Sequence, residues 1–215
     1  MFDKIFPKLH NEGYKFLVIF GLATLVLYLI NSFLGLIGLV LTIWVYYFFR
    51  DPDRISINNE DYLVSPADGV VLQVMETNGP KELNLENKKF TKVSIFMNVF
   101  DCHVNRTPCS GEIEDILYVS GKFLNASLDK ASEDNERNYY KIKDNQNNDI
   151  ILVQIAGLVA RRIVCEASKD QELKQGERVG MIRFGSRADI YYENYEPLVK
   201  VGQRAISGET LLAKK

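Results

Sequence analysis

Between Phe16 and Phe49 the chain runs for 34 residues without a charge. One membrane span needs about 20 apolar residues. The run is therefore too long for one upright helix and short for two full ones. Its middle, "LINSFLGLIG" (29–38), sets Asn31, Ser32, Gly35 and Gly38, each polar or turn-permissive, into an otherwise apolar stretch. The pattern predicts a helical hairpin with two short arms. Lys4, Lys8 and Lys15 precede it and Arg50 and Arg54 follow it, which places both ends on the cytoplasmic side. Trp44, Tyr46 and Tyr47 suit the interfacial belt. A cleaved signal peptide is disfavoured, because the run far exceeds an h-region of about 7–15 residues and lacks a small-residue cleavage site. One long tilted span is the alternative, and it would put the rest of the chain outside.

Beyond "FFRDPDR" the pattern changes to short β-like runs: 69–75, 92–100, 112–119, 149–157, 161–167, 179–185 and 198–202. Gly, Asn, Asp and Pro punctuate them, as in antiparallel sandwiches and barrels. "RFGSRADIYY" (183–192) also reads as a strand, with Gly185-Ser186 set in its middle. The stretch 122–138 has no alternation and is charged, so it is a short helix or a long functional loop. The expected organisation is a segment 1–15, a membrane hairpin 16–49 and a mainly β domain 50–215 of antiparallel sandwich or barrel type.

Composition narrows the partners. The net charge of −2 gives no electrostatic footprint for nucleic acid. Cys102, Cys109 and Cys165 are odd in number and irregular in spacing, which fits buried thiols in a reducing compartment and not a disulfide framework. His10 and His103 are the only histidines, and no His/Cys cluster has metal-ligand spacing.

Four motifs carry candidate chemistry. "SPADG" (65–69) is first of all a turn; Asp68 gains meaning only beside a histidine. "MNVFDCHVNRTPCSG" (97–111) holds His103, crowded by Asp101, Asn105 and Arg106. A lone histidine is more often structural than catalytic, yet its pKa suits proton transfer near neutrality. Adjacent Arg161 and Arg162 would point to opposite faces of a strand, and a guanidinium suits a lipid phosphate; a solvated surface pair explains them equally well. Gly185-Ser186 is a bulge or bend, or a self-processing bond. A nucleophile elbow is a poor reading, since a strand and not a helix follows Ser186.

Together "SPADG", "FMNVFDCHVNR", "GKFLNASLDKASEDNERN", "QIAGLVARRIVC", "GERVGMIRFGSRADIYY", "NEGYKF" and "FFRDPDR" resemble the phosphatidylserine decarboxylase family in its short, two-subunit, pyruvoyl-dependent form. The resemblance covers about Glu12 to Leu212. It implies an inactive precursor that cuts itself at Gly185–Ser186 into a β chain, 1–185, and an α chain, 186–215. Ser186 then becomes a covalent pyruvoyl group, which forms a Schiff base with the amine of phosphatidylserine and acts as electron sink while CO₂ leaves. It further implies His103 as proton donor or base, and Asp68 as the group that orients it or assists processing. Arg106, Arg161 and Arg162 are candidates for holding the substrate phosphate. The implied setting is the cytoplasmic face of the cell membrane, with a phospholipid substrate, the two chains held together, and self-association, common in two-subunit forms.

One position departs from the longer bacterial members. They resemble "H-x-x-H" where this chain has His103-Val-Asn-Arg106. An arginine stays protonated and cannot be a general base. An Asp-His-Ser relay through that position does not carry over, which leaves His103, Asp68 or water for the first step of self-cleavage. Two other functions compete: the same chemistry on the ether lipid archaetidylserine, and a non-catalytic, membrane-tethered β module that binds a headgroup. A binding module has no reason to cut Gly185–Ser186.

Overall fold

The computed structural model describes residues 6–126, 134–157, 162–183 and 186–215. The chain divides into two compact units, Met1–Asp53 and Arg54–Lys215.

In the first unit, α1 (Asn11–Ile30) and α2 (Ser32–Phe48) meet at a single residue, Asn31. Asn31 ends α1, its N–H bonded to the Leu27 carbonyl, and starts α2 by accepting the Phe33 N–H on Oδ1. Gly35 and Gly38, read above as part of the turn, are instead helical. They form the helix–helix contact: a Cβ at Gly35 would lie 2.7 Å from Tyr28 Cβ, and one at Gly38 would lie 2.9 Å from Thr24 Oγ1. Small residues let apolar helices approach closely, and Thr24 and Thr42 hydroxyls meet there at 2.9 Å. An antiparallel bridge, Leu9 to Arg50, closes the base. α1 is long and apolar enough to cross a membrane, whereas α2 has 17 residues. Most of their large apolar side chains are exposed, Leu29 to 77%.

The second unit is mainly β, as the sequence pattern predicts. Its principal sheet is open and curled, in the order β13 (Arg204–Ala205), β2 (Gly69–Asn78), β3 (Lys89–Met97), β11 (Ser186–Tyr192), β7 (Asp149–Ala156), β6 (Arg137–Asp144), β5 (Gly111–Val119), β9 (Glu172–Leu173). Two three-stranded sheets complete it: β1 (Tyr62–Val64), β14 (Leu211–Lys214), β12 (Glu196–Pro197), and β4 (Val104–Arg106), β10 (Arg178–Ile182), β8 (Ile163–Cys165). Every pairing between these strands is antiparallel. One face of the large sheet joins Leu63, Val179, Ile182 and Leu212 of the small sheets in a common core. The other face carries Phe90, Tyr139, Ile151, Val153 and Ile155 beneath Leu83 and Leu85. With both faces covered, β7 is buried along its whole length, which is why "IILV" shows an unbroken apolar run and not an alternation.

Three readings change. Residues 198–202 do not form a strand: the Gln203 N–H bonds the Lys200 carbonyl in a tight turn. Residues 137–144, not recognised as a strand, form β6. "RFGSRADIYY" is not one strand. β10 ends at Ile182 in one sheet and β11 starts at Ser186 in another, so the chain changes sheets between these two residues. Phe184 and Gly185 themselves lie outside the described residues, as do parts of 122–138 and 161–167.

Candidate active site

Ser186 is the first residue of β11. Register sets it between Met97 of β3 and Ala156 of β7. Strand alternation groups its side chain with Ala188, Ile190 and Tyr192 on the core face. It is fully buried, and its Oγ lies 3.9 Å from Met97 Sδ. A thioether is a weak acceptor, so among the described residues the hydroxyl has only a weak partner.

His103 arrives from the other direction. After β3, Asn98 and Asp101 build a turn in which Asp101 Oδ2 accepts the Asn98 N–H at 2.9 Å and Asn98 Oδ1 accepts the Phe100 N–H at 2.8 Å. Arg204 pairs with the buried Asp101 carboxylate. The chain then enters β4, where Val104 faces Met181. The Ile182 N–H donates to the His103 carbonyl at 3.2 Å. His103 thus sits beside the residue four before Ser186, and it is fully buried. Its Nδ1 lies 2.9 Å from the Asp101 carbonyl oxygen. A carbonyl can only accept, so this contact assigns the proton to Nδ1 and leaves Nε2 as the basic nitrogen of the neutral ring.

The "SPADG" turn closes on Ser65, whose hydroxyl bonds the Ala67 carbonyl at 2.7 Å. Asp68 is thereby released from the turn. Its carboxylate accepts the Ser207 N–H at 2.8 Å and pairs with Arg54 at 2.9 Å. Gly69 follows with φ +157°, and a Cβ there would run into the Phe96 carbonyl; this is the close approach that only glycine permits. Since Val70 pairs with Phe96, the turn stands next to Met97, the partner of Ser186. The turn is also tied to β4: the Pro66 carbonyl accepts the Arg106 N–H at 3.0 Å and Asn105 Nδ2 at 3.3 Å. Ser186, His103 and Asp68 therefore come from three segments that converge around Met97 and β4.

The arginines separate. Arg106 is buried and gives Nη1 to the Gly176 carbonyl at 2.9 Å, a loop-fastening position. Arg162 is exposed, its carbonyl accepting the Arg183 N–H at 3.2 Å. Arg161 lies outside the described residues.

Sequence reasoning missed several neighbours. Arg54 looked like a charge flanking the membrane segment and is the ionic partner of Asp68. Gln154 and Tyr140 looked like ordinary strand residues. Yet Gln154 Nε2 donates to Asn105 Oδ1 at 2.9 Å, and the Tyr140 hydroxyl lies 2.9 Å from Gln154 Oε1. Burial, with Cys165 next, pushes the Tyr140 phenol well above its ordinary value, so it stays a donor. A buried Gln in an apolar strand was the available signal, since such groups require partners. Two polar cavities, of about 660 Å³ beside Ser110–Glu112 and about 530 Å³ beside Gln73 and Tyr191, are lined by none of the three candidate residues.

The sequence profile of phosphatidylserine decarboxylases matches residues 41–213. The phosphatidylserine decarboxylase proenzyme of Pelagibacter ubique is 75% identical over 215 residues, all of both chains. Those of Ruegeria pomeroyi and Cereibacter sphaeroides are 53% and 54% identical over 99% of this chain and 98% and 92% of their own. This β domain with its buried serine and histidine is an enzyme domain. The chain belongs to the phosphatidylserine decarboxylase family.

Proposed function

We propose that this chain is a precursor that cuts itself between Gly185 and Ser186 and then converts phosphatidylserine to phosphatidylethanolamine and CO₂. The observation that carries the reading is a fully buried serine hydroxyl at the sheet crossing, whose partner among the described residues is a thioether, beside the strand end that bears the only histidine of the second unit.

In the first step Ser186 Oγ bonds to the Gly185 carbonyl carbon and gives its proton to His103 Nε2. The peptide C–N bond breaks, and the Ser186 nitrogen takes up a proton. Removal of the Ser186 Cα proton then expels the Gly185 carboxylate from Cβ. The dehydroalanine left at 186 tautomerises, and water replaces its nitrogen, released as ammonia. The site suits the resulting pyruvoyl group: Ala156 and Met97 flank it with small or deformable side chains, and the Nδ1 contact keeps a basic His103 Nε2. Such a group would supply a carbonyl for the substrate amine and an electron sink for the pair left by CO₂. His103 delivers a proton to the substrate Cα from which CO₂ has left, and Asp68, with Arg54, supports the turn and the charge balance around it.

The topology explains how the pieces stay joined. The segment 186–215 supplies β11 at the interior of the large sheet, β13 at its edge and β14 in the middle of a small one. Cutting at its first residue leaves all these pairings intact. The exposed apolar surface of α1 and α2 supports a membrane anchor, and the flanking lysines and arginines favour the cytoplasmic side for the β domain. Arg162, exposed next to the crossing, is the candidate to meet the lipid phosphate. The test is CO₂ release from carboxyl-labelled phosphatidylserine by the purified protein. Wild type should release label and Ser186→Ala should not; label release by an uncut Ser186→Ala chain would end the reading.

A further inference from the structure

Asn105 and Ser186 point at one atom. Asn105 Nδ2 lies 3.7 Å from Met97 Sδ, and Ser186 Oγ lies 3.9 Å from the same sulfur. Both residues are fully buried. The carboxamide cannot turn freely. Its Oδ1 accepts Gln154 Nε2 at 2.9 Å, and its Nδ2 also faces the Pro66 carbonyl at 3.3 Å. The Tyr140 hydroxyl lies 2.9 Å from Gln154 Oε1 and 2.9 Å from the Val179 carbonyl, so its one proton is shared between these two acceptors. One N–H is thereby satisfied by Pro66, and the other is aimed at a weak acceptor. A buried amide N–H with so poor a partner has a better use available if a stronger acceptor appears nearby.

We propose that Asn105 is a positioning residue for self-cleavage, a role that rests on the reading given above. Before reaction, the Asn105 N–H and the Ser186 O–H share one sulfur, which keeps the hydroxyl in the pocket without tying it down. As Oγ passes its proton to His103, negative charge builds on Oγ itself, before the bond to the Gly185 carbon hands that charge on. The Asn105 N–H, already directed at the sulfur that Oγ also faces, donates to this charged acceptor while Gln154 and Pro66 hold the carboxamide in place. Fixed dipoles aimed at developing charge act strongly in a water-excluded site. Asn105 lies one residue before Arg106, where a second histidine is missing, and supplies a neutral donor in that neighbourhood.

The test follows cleavage of freshly translated full-length chains by mass over time, with thermal unfolding measured beside it. Asn105→Val should slow cleavage by about tenfold or more, the effect of losing one good hydrogen bond. It would also orphan Gln154, so Asn105→Val/Gln154→Leu is the decisive variant. It removes both polar partners, which can be nearly neutral for stability. A double variant that melts near wild type but still cuts slowly supports the role; one that cuts at the wild-type rate overturns it, as does unchanged cleavage in Asn105→Val. Hydroxylamine, which severs esters, adds a second readout. It should not restore cleavage to Asn105→Val, because the ester has not formed; full rescue would place Asn105 after that step and contradict the proposal. Failure of the wild-type chain to cut at all would sink the parent reading instead.

Discussion

His103 Nδ1 sits 2.9 Å from the carbonyl oxygen of Asp101, two residues before it in the chain. The contact is local, so the turn that builds it also fixes the ring. Nε2 is then the nitrogen available for proton transfer. Substituting His103→Ala should lower decarboxylation in the cleaved fraction by about a hundredfold or more, the lower range of general acid–base catalysis. Turnover is normalised to the pyruvoyl content of each preparation. Normal turnover per cleaved chain would remove His103 from the decarboxylation step.

Asp68 and Arg54 form the ion pair that anchors the "SPADG" turn, with side chains only 9% and 17% exposed. Removing one partner of such a pair strands the other charge. In an uncut Ser186→Ala background, Arg54→Met should destabilise the domain by about 3 kcal/mol. Arg54→Met/Asp68→Asn should recover part of that loss, because the carboxamide oxygen introduced by Asp68→Asn can still accept the Ser207 N–H. Urea midpoints decide it: equal losses in single and double variants would show that the pair contributes no coupling.

Much of the β domain was legible because alternation survives where one face is wet. β2 and β5 show it, and their limits came within three residues. β6 was not legible, because Arg137, Lys141 and Lys143 break the apolar run and its inward Tyr140 and Ile142 are flanked by charge. The stretch 198–202 alternates but turns at Lys200–Gln203, a local bond that periodicity cannot see. The sheet crossing before Ser186 was unreadable for another reason: a sequence window shows strand propensity and says nothing of which sheet a strand joins. At the site, Ser186, His103 and Asp68 stood out in motifs. Arg54 and Gln154 did not, since their partners lie 14 and 49 residues away.

The acid limb of stability should depend on Asp149. Burial pushes its carboxyl up, but hydrogen bonds and charge from Lys88 and Lys143 outweigh this and leave it below its ordinary value. A depressed folded pKa means stabilisation that is present above the unfolded value, about 4, and lost as pH falls through the lower folded value. Asp149→Asn should therefore cost stability at about pH 6 and progressively less below about pH 4. Denaturant midpoints of both proteins across that range check it. A constant difference down to the most acidic pH would show that the charge is not responsible.

Deleting residues 1–49 should move the protein from the membrane to the soluble fraction. The remainder has a net charge of −3 and no polybasic tract, so electrostatic attraction to anionic lipid is not expected to retain it. Flotation with anionic vesicles is the assay. Continued tight binding of the fragment would reveal a second membrane surface on the β domain.

The most direct measurement is an intact mass spectrum of the purified protein under denaturing conditions. Two chains are expected, one ending at Gly185 and one running from residue 186 to Lys215, the second lighter than the encoded peptide by the change from serine to pyruvoyl. Under native conditions the two should elute together, held by β11, β13 and β14. A single uncut chain that nonetheless decarboxylates phosphatidylserine would contradict the account at its centre.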